Sequence, residues 1–375
     1  MGSYDVIVVG VGAMGSAACW RLARRGVRVL GLERFDVGHA LGSSGGETRL
    51  IRKAYYEHPD YVPLVQRAYE LWGEVESESK SKLLFQTGGL YLGPREGELI
   101  TGSLRSARKH RIEHELLEGD GLRRRYPQWL LPEGYVGLYE AGAGYLLCEL
   151  AVATMARLAV SQGAEVRSNE GIRSWSADGD GVKVRTDRGE HHAAKIVFTA
   201  GAWTEKLVMD LGVPLSVTRQ VLGWVSPSDP ANFAVGRLPC WAVEHAGGLF
   251  YGFPILEGGD TMKLAYHHRG PSAEPDSMDR RARAEDETDF RPLIRRYLPG
   301  ADGPLRKMHV CMYTYSPDSH FIVDRHTAHE NVLLACGFSG HGFKFAPVIG
   351  DALADLALAG RTELPIGFLS FARFR

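Results

Sequence analysis

The stretch that most narrows the fold is "YDVIVVGVGAMGSAACWRLARRGVRVLGLER", Tyr4 to Arg34. Asp5 to Val9 is apolar and β-branched, Gly10, Gly12 and Gly15 follow as G-x-G-x-x-G, and Ala17, Ala18, Leu22 and Ala23 form one helical stripe. Val27 to Leu32 reads as a second strand. Strand, glycine turn, helix and strand in this order specify a parallel βαβ unit that binds a dinucleotide. One glycine permits the tight turn, one lets amides approach a pyrophosphate at the helix terminus, and one allows close helix–strand packing. Glu33 ends the second strand, where a carboxylate accepts from the ribose hydroxyls and disfavours a 2′-phosphate. The motif does not separate NAD from FAD. Arg21, Arg24, Arg25 and Arg28 read as the solvated face of the helix.

A chain of 375 residues exceeds what one core usually serves, which predicts two domains or one with a large insertion. The formal charge of -1 and the charged fraction of 24% give no bias toward nucleic acid or an anionic membrane. Apolar runs are strand-sized and no signal-peptide pattern precedes Asp5, so the expectation is a cytoplasmic protein with no membrane span. The five cysteines are widely spaced without a C-x-x-C, and neither His191-His192 nor His267-His268 has ligand spacing, so no disulfide framework and no metal are expected.

Further along, "LGSSGGETRLIRKAYYEHPDY" is a small-residue loop carrying Arg49, Arg52 and Lys53, and an amphipathic helix follows with Leu64, Val65, Ala68, Leu71 and Trp72 on one face. "FQTGGLYLG" reads as one glycine-interrupted strand, and Pro94 to Tyr145 as a weakly periodic insertion. Glu149 to Gln162 is an alanine-rich helix, and "KIVFTAGAW" is a buried strand whose end is either a second approach to the dinucleotide or a simple strand terminus. Val217 to Thr314 alternates with aromatics, as an antiparallel sheet does. "NVLLACGFSGHGFKFAPVIGDALADLALAG" gives strand, glycine turn and helix, stopped at Gly360. Nucleotide-binding elements thus lie at the start, middle and end, with an aromatic sheet interrupting them.

These motifs resemble the family of monomeric sarcosine oxidases, N-methyltryptophan oxidases and pipecolate oxidases, amine oxidases with covalent FAD. The resemblance covers nearly the whole chain and rests on Gly10 to Gly15 with Glu33, "TRLIRKAY", "YGFP", "MKLAYHH", "CMYTYSPDSHFIVD" and "GFSGHGFKFAPVIG". It implies an α/β and α+β fold: a Rossmann-like FAD-binding domain of the glutathione-reductase-2, D-amino-acid-oxidase-like type, with an inserted, mostly antiparallel sheet substrate domain. The expected boundaries are 1–84, 146–217 and 315–375 for the first, and 85–145 and 218–314 for the second. Many members carry one or two histidines where this chain reads Ser43-Ser44-Gly45-Gly46.

The resemblance also implies roles. Cys311 would carry FAD as an 8α-S-cysteinyl thioether. Arg52 and Lys344 would clamp a substrate carboxylate, fixing the reacting C–H toward the cofactor. Gly340, His341, Gly342, Phe343 and Lys344 would face the flavin at a helix N-terminus that stabilises its reduced anion. Lys263 would serve oxygen activation, Arg49 would lie by the ring, and Tyr251, His267 and Tyr313 would line the substrate cavity. Without the family, Lys263 reads as a solvated strand residue, Arg52 as a surface ion pair, and Cys311 as a small buried hydrophobe. The expected activity is oxidation of sarcosine or another N-methyl amino acid by O2, in a monomer whose partners are small molecules alone. L-Pipecolate or L-proline is the alternative substrate. Outside the class stand an NAD-dependent dehydrogenase and a flavoprotein subunit passing electrons to a partner. Gly337-Phe338-Ser339-Gly340-His341 lacks the last glycine of a hydrolase elbow.

Overall fold

The computed structural model describes residues 4–177 and 181–375, and two eight-stranded sheets and one three-stranded sheet organise them. In the first sheet, Tyr4–Val9 pairs in parallel with Val29–Leu32 on one side and Glu190–Phe198 on the other, placing Val8 opposite both Gly31 and Val197. Val332–Cys336 extends the parallel set beside Glu190–Phe198, while Ile172–Ala177, Val182–Thr186 and Ile322–Arg325 add antiparallel edges. Val6 and Val8 join the core beneath helices Ala13–Ala23 and Ala346–Ala359, whereas Ile7 and Val9 pack with Phe198 and Leu334 on the opposite face. Both faces are dry, which is why the strand reads as a continuous apolar run.

Helix Ala13–Ala23 is buried along its whole length. Its small residues admit helix Ala346–Ala359 closely enough that a Cβ at Gly350 would come 2.6 Å from the Ala17 carbonyl carbon. The solvated reading therefore fails for Arg21, whose guanidinium sits 2.8 Å from Asp351 and 3.2 Å from Glu74. A helix packed on both sides leaves an arginine near its end nowhere to go except onto carboxylates of its neighbours. Arg28, beyond the helix, stays exposed and pairs with Asp5.

The second sheet runs Leu305–Tyr315, Ser216–Val225, Met262–His267, Gly248–Gly252, Cys240–His245, Gly89–Pro94, Tyr135–Glu140, Glu115–Leu117. All neighbours are antiparallel except Cys240–His245 with Gly89–Pro94. Its longest pairing sets Gln220 opposite Cys311 and Thr218 opposite Tyr313. Thr48–Ile51, Gly144–Leu147 and Leu84–Phe85 make the small third sheet.

Two expectations change. "FQTGGLYLG" is two strands in two sheets, because Gly88 turns the chain with φ +83°. The segment after Pro94, weakly periodic in sequence, holds a regular helix, Glu98–His110, whose buried side is Leu99, Ile100, Gly102, Ser103, Ser106 and Ala107. Small polar residues there conceal the apolar period. They permit backbone contact, since a Cβ on Gly102 would lie 2.5 Å from the Tyr56 carbonyl oxygen.

Candidate active site

The glycine turn after Tyr4–Val9 opens into a cavity of about 540 Å³. Gly10 has φ +87°, and a Cβ there would meet the Thr199 carbonyl oxygen at 2.8 Å. At Gly15 the same atom would lie 1.8 Å from the Gly10 oxygen, so this glycine serves helix–strand packing and lies outside the cavity wall, whereas Gly10 and Gly12 form part of it. Glu33 also lines the cavity, its carboxylate accepting from the amides of Val11 at 2.8 Å and Phe35 at 3.0 Å. Thr199 to Trp203, the end of "KIVFTAGAW", form the facing wall. The hydroxyl oxygens of Ser43 and Thr314, both on the wall, are buried and have no protein partner. A glycine cradle, a carboxylate at the end of the second strand and unpartnered hydroxyls fit a dinucleotide.

The Ser43-Ser44-Gly45-Gly46 loop has its own logic. The Ser44 hydroxyl accepts from the Ala13 amide at 3.2 Å, at the head of the nucleotide helix. A Cβ on Gly45 would stand 2.7 Å from the Ala40 Cα, so the packing leaves no room for a side chain. Charged groups strap this loop from several sides. Arg49 donates to the carbonyls of Ser43, Gly45 and Thr48 at 3.2, 2.5 and 3.0 Å. Lys263 donates to the carbonyls of Gly46 and Thr48, each at 2.6 Å, and Glu149 accepts from the Gly46 amide at 2.7 Å.

A second cavity, of about 70 Å³, adjoins the first, and Arg49, Tyr313, Gly340 and Phe343 line both. Its wall includes Arg52, Glu57, Tyr251, His267, His341 and Lys344. Arg52, from the end of Thr48–Ile51, lies 2.7 Å from Glu57. Burial alone would raise the Glu57 carboxyl, but the Arg52 guanidinium, with His341 and Lys344 beside it, holds it below the usual range. Lys344, from the turn Phe343–Phe345, donates to the His341 carbonyl at 2.8 Å, and the indole of Trp72 donates to the Lys344 carbonyl at 2.9 Å. Burial, together with the Arg52 charge, brings its ammonium down to about 7. Desolvation likewise holds His267 near 4, a neutral ring 5.1 Å from Tyr313. Gly340 lies against both: a Cβ there would approach each ring to 2.7 Å.

Four of the residues singled out from the sequence thus meet at the junction of the cavities, and others do not. His341 faces only the small cavity, and its amide is taken by the Phe338 carbonyl at 3.0 Å, so it has no amide left for a cofactor. Cys311 and Lys263 line neither cavity. Cys311 is fully buried with Leu222, Trp224 and Ala265, its thiol raised by burial against the opposing charges of Arg49 and Lys263. Lys263 is buried rather than solvated, and burial, then Arg49, brings it to about 7. Arg52 is in an ion pair, as expected of it without the family, but an interior one.

Sequence reasoning missed Glu57, an acid five positions after Arg52 inside a loop that reads as surface. It missed Glu149, hidden in the first turn of Cys148–Ser161. It missed His309, two residues before Cys311 on the same face of its strand, with a buried Nε2 that has no partner. One cluster of potential metal ligands occurs among the described residues, Asp210, His326 and His329. There the Nδ1 of His326 accepts from the Ala328 amide at 3.1 Å, so the proton of the neutral ring sits on Nε2, facing Asp210 at 3.3 Å.

Residues 5–356 match the family model described as DAO, FAD dependent oxidoreductase. The chain is 40% identical over 375 residues to the monomeric sarcosine oxidase of Bacillus sp. (strain NS-129), spanning 99% of this chain and 97% of that one. It is 36% identical over 374 residues to the N-methyl-L-tryptophan oxidase of Salmonella heidelberg (strain SL476), spanning 99% of each. Among solved structures, the open form of NikD, an unusual amino acid oxidase essential for nikkomycin biosynthesis, matches with a TM-score of 0.86 and 28% identity over 99% of this chain and 98% of that one. With a dinucleotide cavity and a cation-lined cavity sharing one wall, the chain belongs to the FAD-dependent oxidoreductases, in the group that includes monomeric sarcosine oxidase and N-methyl-L-tryptophan oxidase.

Proposed function

We propose that the chain oxidises a small secondary amino acid, sarcosine or another N-methyl amino acid, to an imine that water then hydrolyses, with O2 reduced to H2O2. The observation that carries this is the pair of buried cations, Arg52 and Lys344, in a small cavity that shares four wall residues with the nucleotide cavity. FAD, when bound, supplies the two-electron acceptor for the substrate C–H and the route of those electrons to O2. The chain supplies position. The guanidinium and ammonium fix the carboxylate, and Tyr251, His267 and Tyr313 exclude water around the reacting carbon. His267 is neutral and so offers no counter-charge to an ammonium, which favours a substrate bound as the neutral amine. A peroxide-coupled screen of sarcosine, other N-methyl amino acids, L-proline and L-pipecolate tests the reading, which fails if none yields peroxide.

Finer parts of the proposal follow. Cys311 would hold the flavin through its sulfur at the 8α position, its S–H and one methyl C–H giving way to the S–C bond, with O2 as the two-electron acceptor. Its support is the resemblance of "CMYTYSPD" and the shared neighbour Arg49, which lines the large cavity. Acid-precipitated protein would stay yellow, and loss of all colour to the supernatant would rule the tether out. Lys263 assists the oxygen half-reaction from behind the loop it straps. The nucleotide-binding domain comprises 1–84, 146–217 and 315–375, the substrate domain the rest, and the enzyme works as a cytoplasmic monomer, for which a sedimentation measurement is decisive on oligomeric state.

A further inference from the structure

Two like charges side by side in a small cavity need something to hold them, and Glu57 contacts only Arg52 among them. Tyr55 touches both. The Arg52 guanidinium carbon lies 4.4 Å from its ring centroid and the Lys344 ammonium 5.2 Å from it. Its hydroxyl is 2.5 Å from Nδ1 of His341, whose Nε2 is 3.1 Å from the Ser319 carbonyl oxygen. A carbonyl only accepts, so the single proton of the neutral imidazole sits on Nε2, and Nδ1 accepts from Tyr55. The carbonyl of that same His341 receives the Lys344 ammonium at 2.8 Å. Tyr55 itself is immobilised: it is fully buried, its ring packs edge-on to Phe345 at 5.3 Å, and its carbonyl accepts from Ser106 at 2.5 Å.

We infer that Tyr55 is a positioning residue for the substrate carboxylate: its ring face holds both cations toward the small cavity, and its hydroxyl fixes the turn whose carbonyl aims Lys344. The inference rests on the carboxylate-clamp reading. A desolvated aromatic ring attracts cations, here two at once, so its removal lets them separate.

The test uses the FAD-loaded enzyme, with acetate as a carboxylate probe read by the flavin spectrum, and anaerobic flavin reduction with the amino acid that gives peroxide. Tyr55→Leu is expected to weaken acetate roughly 30-fold. Tyr55→Phe, which keeps the ring, is expected to weaken it about fivefold. In both, KM rises while the limiting reduction rate holds within about twofold, the mark of lost uniform binding. A fall in the limiting rate matching the rise in KM would make the role merely structural and overturn the inference. So would unchanged acetate affinity in Tyr55→Phe, the variant that decides if Tyr55→Leu does not hold FAD. Unchanged acetate affinity in Arg52→Met and Lys344→Met would instead remove the clamp itself.

Discussion

Nine glycines line the large cavity and only Gly340 the small one, whose wall is mostly charged and aromatic side chains, so the two should respond to opposite kinds of change. Around the nucleotide, glycines leave space for main chain, and adding one carbon is the damaging act. In the small cavity two cations, a carboxylate and three rings do the work, and removing atoms is what damages it. Arg49, Tyr313, Gly340 and Phe343 belong to both walls.

The sharpest separation comes from the clamp. Arg52→Met or Lys344→Met is expected to cost about 2–5 kcal/mol in carboxylate affinity, as loss of one desolvated partner does, while flavin content stays full. Loss of flavin in step with affinity would dissolve the distinction between the cavities. Lys263→Met tests the strapped loop between them: stopped-flow reoxidation should slow by roughly 10²–10³, with anaerobic reduction little affected. Normal reoxidation would leave Lys263 a purely structural strap. The converse change, Gly15→Ala, forces a carbon onto the Gly10 carbonyl and should cost at least about 3 kcal/mol, seen as lost flavin and a lowered Tm.

A smaller effect is a pH dependence of carboxylate binding in the small cavity. The folded pKa of Lys344 is depressed to about 7, so its cation is present below that pH and lost above it. Acetate affinity should therefore fall by up to about tenfold per unit as pH rises past 7, and flavin retention should not follow. A flat profile in wild type would refute the titration, and the slope should vanish in Lys344→Met. Smallest is Ser44→Ala, which removes the bond to the Ala13 amide and should weaken flavin retention by about 1 kcal/mol, measured by flavin release in mild urea.

The same contrast decides what was legible. Gly10, Gly12, Gly15 and Glu33 act within one contiguous βαβ unit, so local spacing carries the chemistry. Arg52 and Lys344 come from opposite ends of the chain, and only the family likeness joins them. Lys263 reads as solvated because alternation along a strand implies one wet face, yet its partner strands and the overlying loop leave that face dry. Arg21 misled for the same reason, since a helix covered on every side gives no polar stripe to read. Helix Glu98–His110 escaped because glycine and serine line its buried side. His309 and Glu149 had no sequence signal; only packing brings them to the loop.

Gly45 carries a further consequence. Because a Cβ there would press on the Ala40 backbone, a side chain grafted at position 45 is not accommodated by a single codon change. Residues 40 to 46 have to be exchanged together, as one cassette, for the graft to be accommodated. Chimeras between this chain and its relatives should accordingly place their crossovers before Ala40 and after Gly46, never between.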